Sequence, residues 1–454
     1  MPIESINPAT GEVTKEFKEW SAHETGLAVE ESHAAWPGWR DSSFSARAAL
    51  MAKAAELLRA RAGEFARIMA LEMGKPVTQG RGEVEKCAWV CDFYAEHAAA
   101  FLTDEPAESD GSRAYVSFRP LGVTLAVMPW NFPFWQVFRC AAPALMAGNT
   151  LLLKHSSNTP RCALAIEEVF REAGFPRNVF RTLLIGSQGV DAVIENSRVK
   201  AVTLTGSCEA GRKVAATAGR MLKKTVLELG GSDPFIVLAD ACLEEAARIG
   251  ALARCINSGQ SCIAAKRFIV EEAVFDRFLE MFVKEMAALK VGDPLDPDTM
   301  VGPLARQDLV DDLRGQVADA VSKGAKVLLG GSPLDALGYF YPPTVLVNIK
   351  PEMRIFHEEL FGPVAVVIPV RDADEAVAMA NDTPFGLGGS VWTGNDEKGA
   401  DMASRIEAGA VFVNGMVKSD PRLPFGGVKD SGYGRELGGF GIREFVNIQT
   451  VWIR

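Results

Sequence analysis

Histidine is scarce in this chain, five in 454 residues, and so is tyrosine, also five. The histidines (His23, His33, His97, His155 and His357) stand apart and none belongs to a motif, which leaves a cysteine–histidine hydrolase without a placed base. The eight cysteines, Cys87, Cys91, Cys140, Cys162, Cys208, Cys242, Cys255 and Cys262, form no Cys-x-x-Cys pair and keep no metal-binding spacing with histidine. Neither a metal site nor a disulfide framework is expected, and most of these thiols read as reduced core filler. No apolar run approaches the roughly 18 residues of a membrane span. The opening Met1-Pro2-Ile3-Glu4-Ser5 has neither the basic nor the apolar region of a signal peptide, so a cytoplasmic location is expected. Positive charge is in deficit, 48 Lys and Arg against 58 Asp and Glu for a net charge of -10, which disfavours nucleic acid as a partner. Internal repeats, low-complexity tracts and charge blocks are missing as well.

What is present is ample apolar material, 48% of residues, in a length that suggests roughly three domains. Residues 45–73 carry a helical period, with Ala48, Leu57, Leu58, Phe65, Ile68, Met69 and Met73 on one stripe and Gly74 closing it. From residue 122 short apolar runs (123–128, 150–153, 180–185, 201–204, 225–229) alternate with segments long enough to be crossover helices, the pattern of a doubly wound parallel sheet. Thr159 and Pro160 read as a helix start, and Gly148-Asn149 and Gly174 as helix stops. A second α/β region follows Gly230, with strands at 234–238, 268–270 and 364–370 and an amphipathic helix at 309–322. The stretches 114–118 and 445–453 alternate like strands, each able to pair with the other or with a neighbouring subunit.

Three residues carry the chemistry. Cys262, in Asn257-Ser258-Gly259-Gln260-Ser261-Cys262, supplies a thiol that can attack a carbonyl. Glu228 ends an apolar strand ahead of Gly230-Gly231 and can activate water where no histidine is placed to do so. Asn131, in Pro129-Trp130-Asn131-Phe132-Pro133, offers a neutral amide of the kind that holds an oxyanion together with a backbone N–H. Each has a plainer reading, as core thiol, strand-end carboxylate and turn asparagine, and only their co-occurrence favours catalysis. Thr205 to Gly211 follows a strand and opens a helix, a place suited to a pyrophosphate, although it departs from the Gly-x-Gly-x-x-Gly fingerprint. Lys154 leaves the carboxyl end of a strand, ahead of Ser156 and Ser157. Arg139 and Trp135 share one face of the apolar helix 134–146, where a buried guanidinium needs either an internal carboxylate or a carboxylate of the substrate.

With Thr205-Gly206-Ser207, Glu359-Leu360-Phe361-Gly362-Pro363 and Pro424-Phe425-Gly426-Gly427 in the same order, these segments resemble the aldehyde dehydrogenase superfamily over nearly the whole chain. Within it, Trp135 to Arg139, Glu228 to Pro234 and Gly415 to Arg422 are similar to bacterial succinate-semialdehyde dehydrogenases. The resemblance implies an α/β fold with a doubly wound cofactor domain (1–105 and 122–229), a second α/β catalytic domain (230–425) and bridging strands (106–121 and 440–454) that join a homodimer or homotetramer. It implies oxidation of an aldehyde to a carboxylate through a thioester on Cys262, with Trp130, Lys154, Ser156, Ser157, Gly206, Ser207, Glu359 and Phe361 around NAD(P). Ser157 stands where NAD-preferring members carry a glutamate, and losing that repulsion toward a 2′-phosphate favours NADP, with NAD as the second choice. The substrate is then an aldehyde with a distal carboxylate, succinate semialdehyde foremost, bounded by Trp135, Arg139, Ser261 and Ser419. A CoA-acylating dehydrogenase is the main rival, and Glu228 argues against it. A hydrolase working without nicotinamide lacks its histidine.

Overall fold

The computed structural model describes residues 3–334 and 337–454. Two parallel-rich sheets organise it. In the first, six strands lie in the order Gly432–Tyr433, Lys224–Glu228, Val199–Thr205, Val123–Val127, Thr150–Lys154 and Phe180–Thr182. All neighbours are parallel except Gly432–Tyr433, which runs back along Lys224–Glu228. The second sheet has seven strands, Lys326–Leu329, Thr344–Val347, Val364–Val370, Ala265–Glu271, Asp233–Val237, Gly388–Trp392 and Ala410–Val413, antiparallel only at its first pair. The expected strands are therefore present, most of them shifted or resized by a few residues. Their near-continuous Val, Ile and Leu content is what a sheet covered by helices on both faces requires.

The helical stretch read over 45–73 is two helices, Phe44–Ala60 and Ala62–Met73. Arg61, with φ -108° and ψ 16°, departs from helical geometry between them, and its guanidinium pairs with Glu64 and Glu172. Gly63 beside it weakens helix propagation further. The stripe still faces inward: Leu58, Phe65 and Met69 share one core with the 25-residue helix Val77–Phe101, and Met73 is buried as well. Gly74 closes the second helix at φ +78°. Thr159 precedes the helix Pro160–Glu172, but its hydroxyl turns to His155 Nδ1 (2.9 Å) and does not cap. Glu72 caps in its place, its carboxylate accepting from the Arg161 and Cys162 N–H groups at 3.0 and 2.9 Å. That substitution is favourable because an anion at a helix N-terminus answers both the free N–H groups and the dipole.

The two alternating stretches pair with each other, Arg113–Pro120 antiparallel to Val446–Ile453 from Val446 opposite Pro120 to Ile453 opposite Arg113. Glu105–Pro106 adds a third, short strand. Among the described residues no helix is long and apolar enough to cross a membrane.

Candidate active site

Four parallel strands of the first sheet end level with one another, Val127 beside Lys154 and Leu204, and Thr205 beside Glu228. The loops leaving these ends therefore carry Asn131, Lys154, Gly206, Ser207 and Glu228 to one edge, where ligands collect in open α/β sheets. Gly432 fixes Glu228 from the other side. It sits at φ +106° opposite Glu228, and a Cβ there would fall on the Leu227 carbonyl.

Cys262 arrives from a strained loop. Asn257, Ser258 and Gly259 are consecutive left-handed residues at φ +55°, +57° and +76°, a conformation that costs about 1–2 kcal/mol for each non-glycine. Their surroundings enforce it. Asn257 Nδ2 donates to the Asn131 carbonyl (2.7 Å), Ser258 Oγ accepts from Gly302 N (2.9 Å), and a Cβ on Gly259 would strike the Gly362 backbone. Lys266, fully buried, donates to the carbonyls of Ser261 (2.9 Å) and Cys262 (2.7 Å) and lies 3.4 Å from Glu359. One ammonium thus ties the nucleophile loop to the Glu359–Phe361 segment.

Asn131 is aimed by its neighbours. Gln136 Nε2 holds its Oδ1 at 3.2 Å, which fixes the amide so that Nδ2 donates to the Gln260 carbonyl at 3.1 Å, and Asn131 lines one cavity with Cys262. Burial pushes the Cys262 thiol up to about 12, outweighing the opposite pull of Lys266 and Arg139. The resting site accordingly holds a thiol, and the reaction must supply the driving force for deprotonation.

Glu228 is buried with neither carboxylate oxygen hydrogen-bonded to protein. Burial raises it to about 8 against the pull of Arg139, with Glu436 adding to the rise. A carboxylate with both oxygens open is what a water-activating base needs. Arg139 lies between two carboxylates. Its guanidinium is an ion partner of Glu436, stands 3.7 Å from Glu228 and lies over the Phe425 ring. Arg139 also borders the cavity that contains Cys262, beside Trp135 and Ser419.

Two cavities meet at Cys262. One, about 320 Å³, is lined by Phe132, Trp135, Arg139, Ser261, Ser419 and Lys86. The other, about 240 Å³, is lined by Trp130, Asn131, Gly206, Ser207, Glu359 and Phe361. Both include Cys262 and Gln136. In the second, Ser207 caps the helix Cys208–Arg220, its Oγ accepting from Ala210 N at 3.3 Å, so a helix N-terminus opens beside Gly206. Trp130 and Phe361 stand edge to face at 5.6 Å. Lys154, Ser156 and Ser157 are farther along the sheet edge and do not border either cavity. Lys154 is buried, and burial lowers it to about 8. It makes no hydrogen bond or ion pair through Nζ among the described residues, which suits an anionic group brought by a ligand.

Gln136, Lys266, Glu436 and Lys86 escaped the sequence reading. Gln136 adjoins Trp135 on a helix buried on every side, and a polar residue in such a helix was the available signal. Glu436 and Lys86 carried no local signal.

The family model for the aldehyde dehydrogenase family matches residues 1–451. A probable succinate-semialdehyde dehydrogenase [NADP(+)] of Synechocystis sp. is 52% identical over 453 residues, covering 100% of both chains. Succinate-semialdehyde dehydrogenase [NADP(+)] 1 of Mycobacterium tuberculosis is 52% identical over 456 residues, again with 100% of each covered. Among solved structures, succinic semialdehyde dehydrogenase from Streptococcus pyogenes in complex with NADP+ superposes with a TM-score of 0.97 at 39% identity, covering 99% of each chain. On its sequence, its sheets and the loops that converge on Cys262, this chain belongs to the aldehyde dehydrogenase family.

Proposed function

We propose that this protein oxidises succinate semialdehyde to succinate, with NADP as the preferred electron acceptor and NAD as the second. The observation that carries the reading is the placement of Cys262 where two cavities meet, one suited to a small aldehyde and the other bordered by the Gly206–Ser207 helix start and the Trp130–Phe361 aromatic pair. The 52% identity to relatives named for this substrate and cofactor supports both assignments.

Residues Trp130, Gly206, Ser207, Glu359 and Phe361 would hold the nicotinamide half, and Lys154, Ser156 and Ser157 the adenosine end. When bound, NADP supplies the hydride acceptor. Cys262 Sγ gives up its proton and bonds to the aldehyde carbon, while Asn131 Nδ2 and the Cys262 N–H hold the developing oxyanion. Loss of hydride from that carbon leaves a thioester on Cys262. Glu228 then takes a proton from water as the oxygen attacks the thioester carbonyl, and Cys262 departs as the sulfur leaving group. The balance is aldehyde, NADP+ and water to carboxylate, NADPH and two protons. Residues 1–105 and 122–229 form the cofactor half in this reading and 230–425 the catalytic half. Strands 106–121 and 440–454 join subunits of a cytoplasmic homodimer or homotetramer.

Steady-state kinetics with each cofactor test the assignment. A kcat/KM ratio favouring NADP by more than about tenfold is expected, and an equal preference for NAD would overturn the cofactor choice.

A further inference from the structure

Resting on the assignment of Asn131 Nδ2 and the Cys262 N–H to the oxyanion, we infer that Lys266 is the positioning residue that aims the Cys262 N–H at the reacting oxygen. In a planar trans peptide the C=O and the N–H point to opposite sides, so fixing one fixes the other. The Cys262 N–H shares its peptide unit with the Ser261 carbonyl. Lys266 lies at the start of the strand Ala265–Glu271, fully buried, and borders neither cavity that contains Cys262. From that buried side Nζ donates to Ser261 O at 2.9 Å and to Cys262 O at 2.7 Å. The Ser261 carbonyl is thereby held away from the cavities, and the Cys262 N–H is turned toward them. It donates to no protein group among the described residues, so its hydrogen is left for a ligand.

The surroundings keep the ammonium in place. Ala264 O and Glu359 Oε1, each 3.4 Å from Nζ, share its remaining hydrogen. Glu359 Oε1 also accepts from Gly231 N at 3.2 Å, and a Cβ on Gly231 would fall on the Cys262 carbonyl. That carbonyl therefore sits in a slot between Lys266 and the glycines that follow Glu228. A cation on a carbonyl also polarises the amide it belongs to, which strengthens the N–H as a donor to developing negative charge. Arg254, equally buried, donates to Gly259 O and Leu360 O and leaves the peptide between Ser261 and Cys262 untouched.

The test separates acylation of Cys262, which needs an oxyanion donor, from its alkylation, which makes no oxyanion. Without cofactor, p-nitrophenyl acetate reports acylation as a burst of p-nitrophenolate, and iodoacetamide reports alkylation as label on the Cys262 peptide. In Lys266→Met the acylation rate should fall on the order of 100-fold, the range of one misdirected oxyanion donor. Alkylation should fall by about tenfold or less, because Lys266 also favours the Cys262 thiolate. Lys266→Arg keeps the charge and the donors and should recover most of the acylation. Should Lys266→Met not fold, Lys266→Gln, which keeps one amide group as donor, carries the same comparison. Equal losses of acylation and alkylation, or no loss of either, would overturn the assignment, since the lysine would then act on the thiol or the fold alone. Asn131→Ala is the reference and should lose acylation selectively. If it does and the Lys266 variant does not, this inference fails alone; if neither is selective, the oxyanion reading fails with it.

Discussion

Glu228, Arg139 and Glu436 place two buried carboxylates beside one buried guanidinium. The charged form of Glu228 is costly there, so its proton persists to about pH 8. Activity limited by water activation should therefore rise with pH through that region as the carboxylate forms. Glu436 pushes the Glu228 value up and Arg139 pulls it down, so the two neighbours are expected to act with opposite sign. Glu436→Gln should move the rising limb of the kcat profile to lower pH, and Arg139→Met should move it higher. Profiles that do not move would separate Arg139 and Glu436 from the base. Glu228→Gln keeps the shape and removes the base, so stopped-flow absorbance at 340 nm should show one burst of NADPH per site and no turnover after it. Unchanged steady-state turnover would remove Glu228 from its assigned role.

At the scale of elements, the catalytic loop is held in an unfavourable backbone by the elements around it. Gly259→Ala combines a left-handed φ with a Cβ driven into the Gly362 backbone. It should lower stability by about 2 kcal/mol or more and abolish the burst, read by thermal unfolding and by the same stopped-flow trace. A fully active, equally stable variant would mean that the loop relaxes freely. The same scale shows why some of the site was legible in the sequence. Asn131, Glu228 and Cys262 each sit in a short motif next to a strand end, and a parallel sheet delivers strand ends to one edge. Lys86 and Glu436 reach the site only because the helix Val77–Phe101 and the return strand Gly432–Tyr433 dock there, contacts between segments far apart in sequence. The misreadings have the same origin. The helix read as continuous over 45–73 is interrupted at Arg61, and Glu72 takes over the cap expected of Thr159.

Across the whole molecule, the strand Val446–Ile453 is an edge of its three-stranded sheet and exposes Ile448, Trp452 and Ile453. Apolar side chains on a free edge invite pairing with a second chain, in keeping with the proposed subunit contact. Replacing Ile448 and Trp452 together by lysine should convert the assembly to monomers in light scattering after size-exclusion chromatography. A double variant of unchanged mass would place the interface elsewhere. The two cavities share Cys262 and Gln136 in their linings, so aldehyde and cofactor are expected to meet at one sulfur atom. Acid quench of Glu228→Gln with succinate semialdehyde and NADP, followed by digestion and mass spectrometry, tests this most directly. The succinyl group should appear on the peptide that contains Cys262, one per chain, and be missing from a Cys262→Ser control. NADPH formed with the acyl group on another peptide, or on none, would contradict the account.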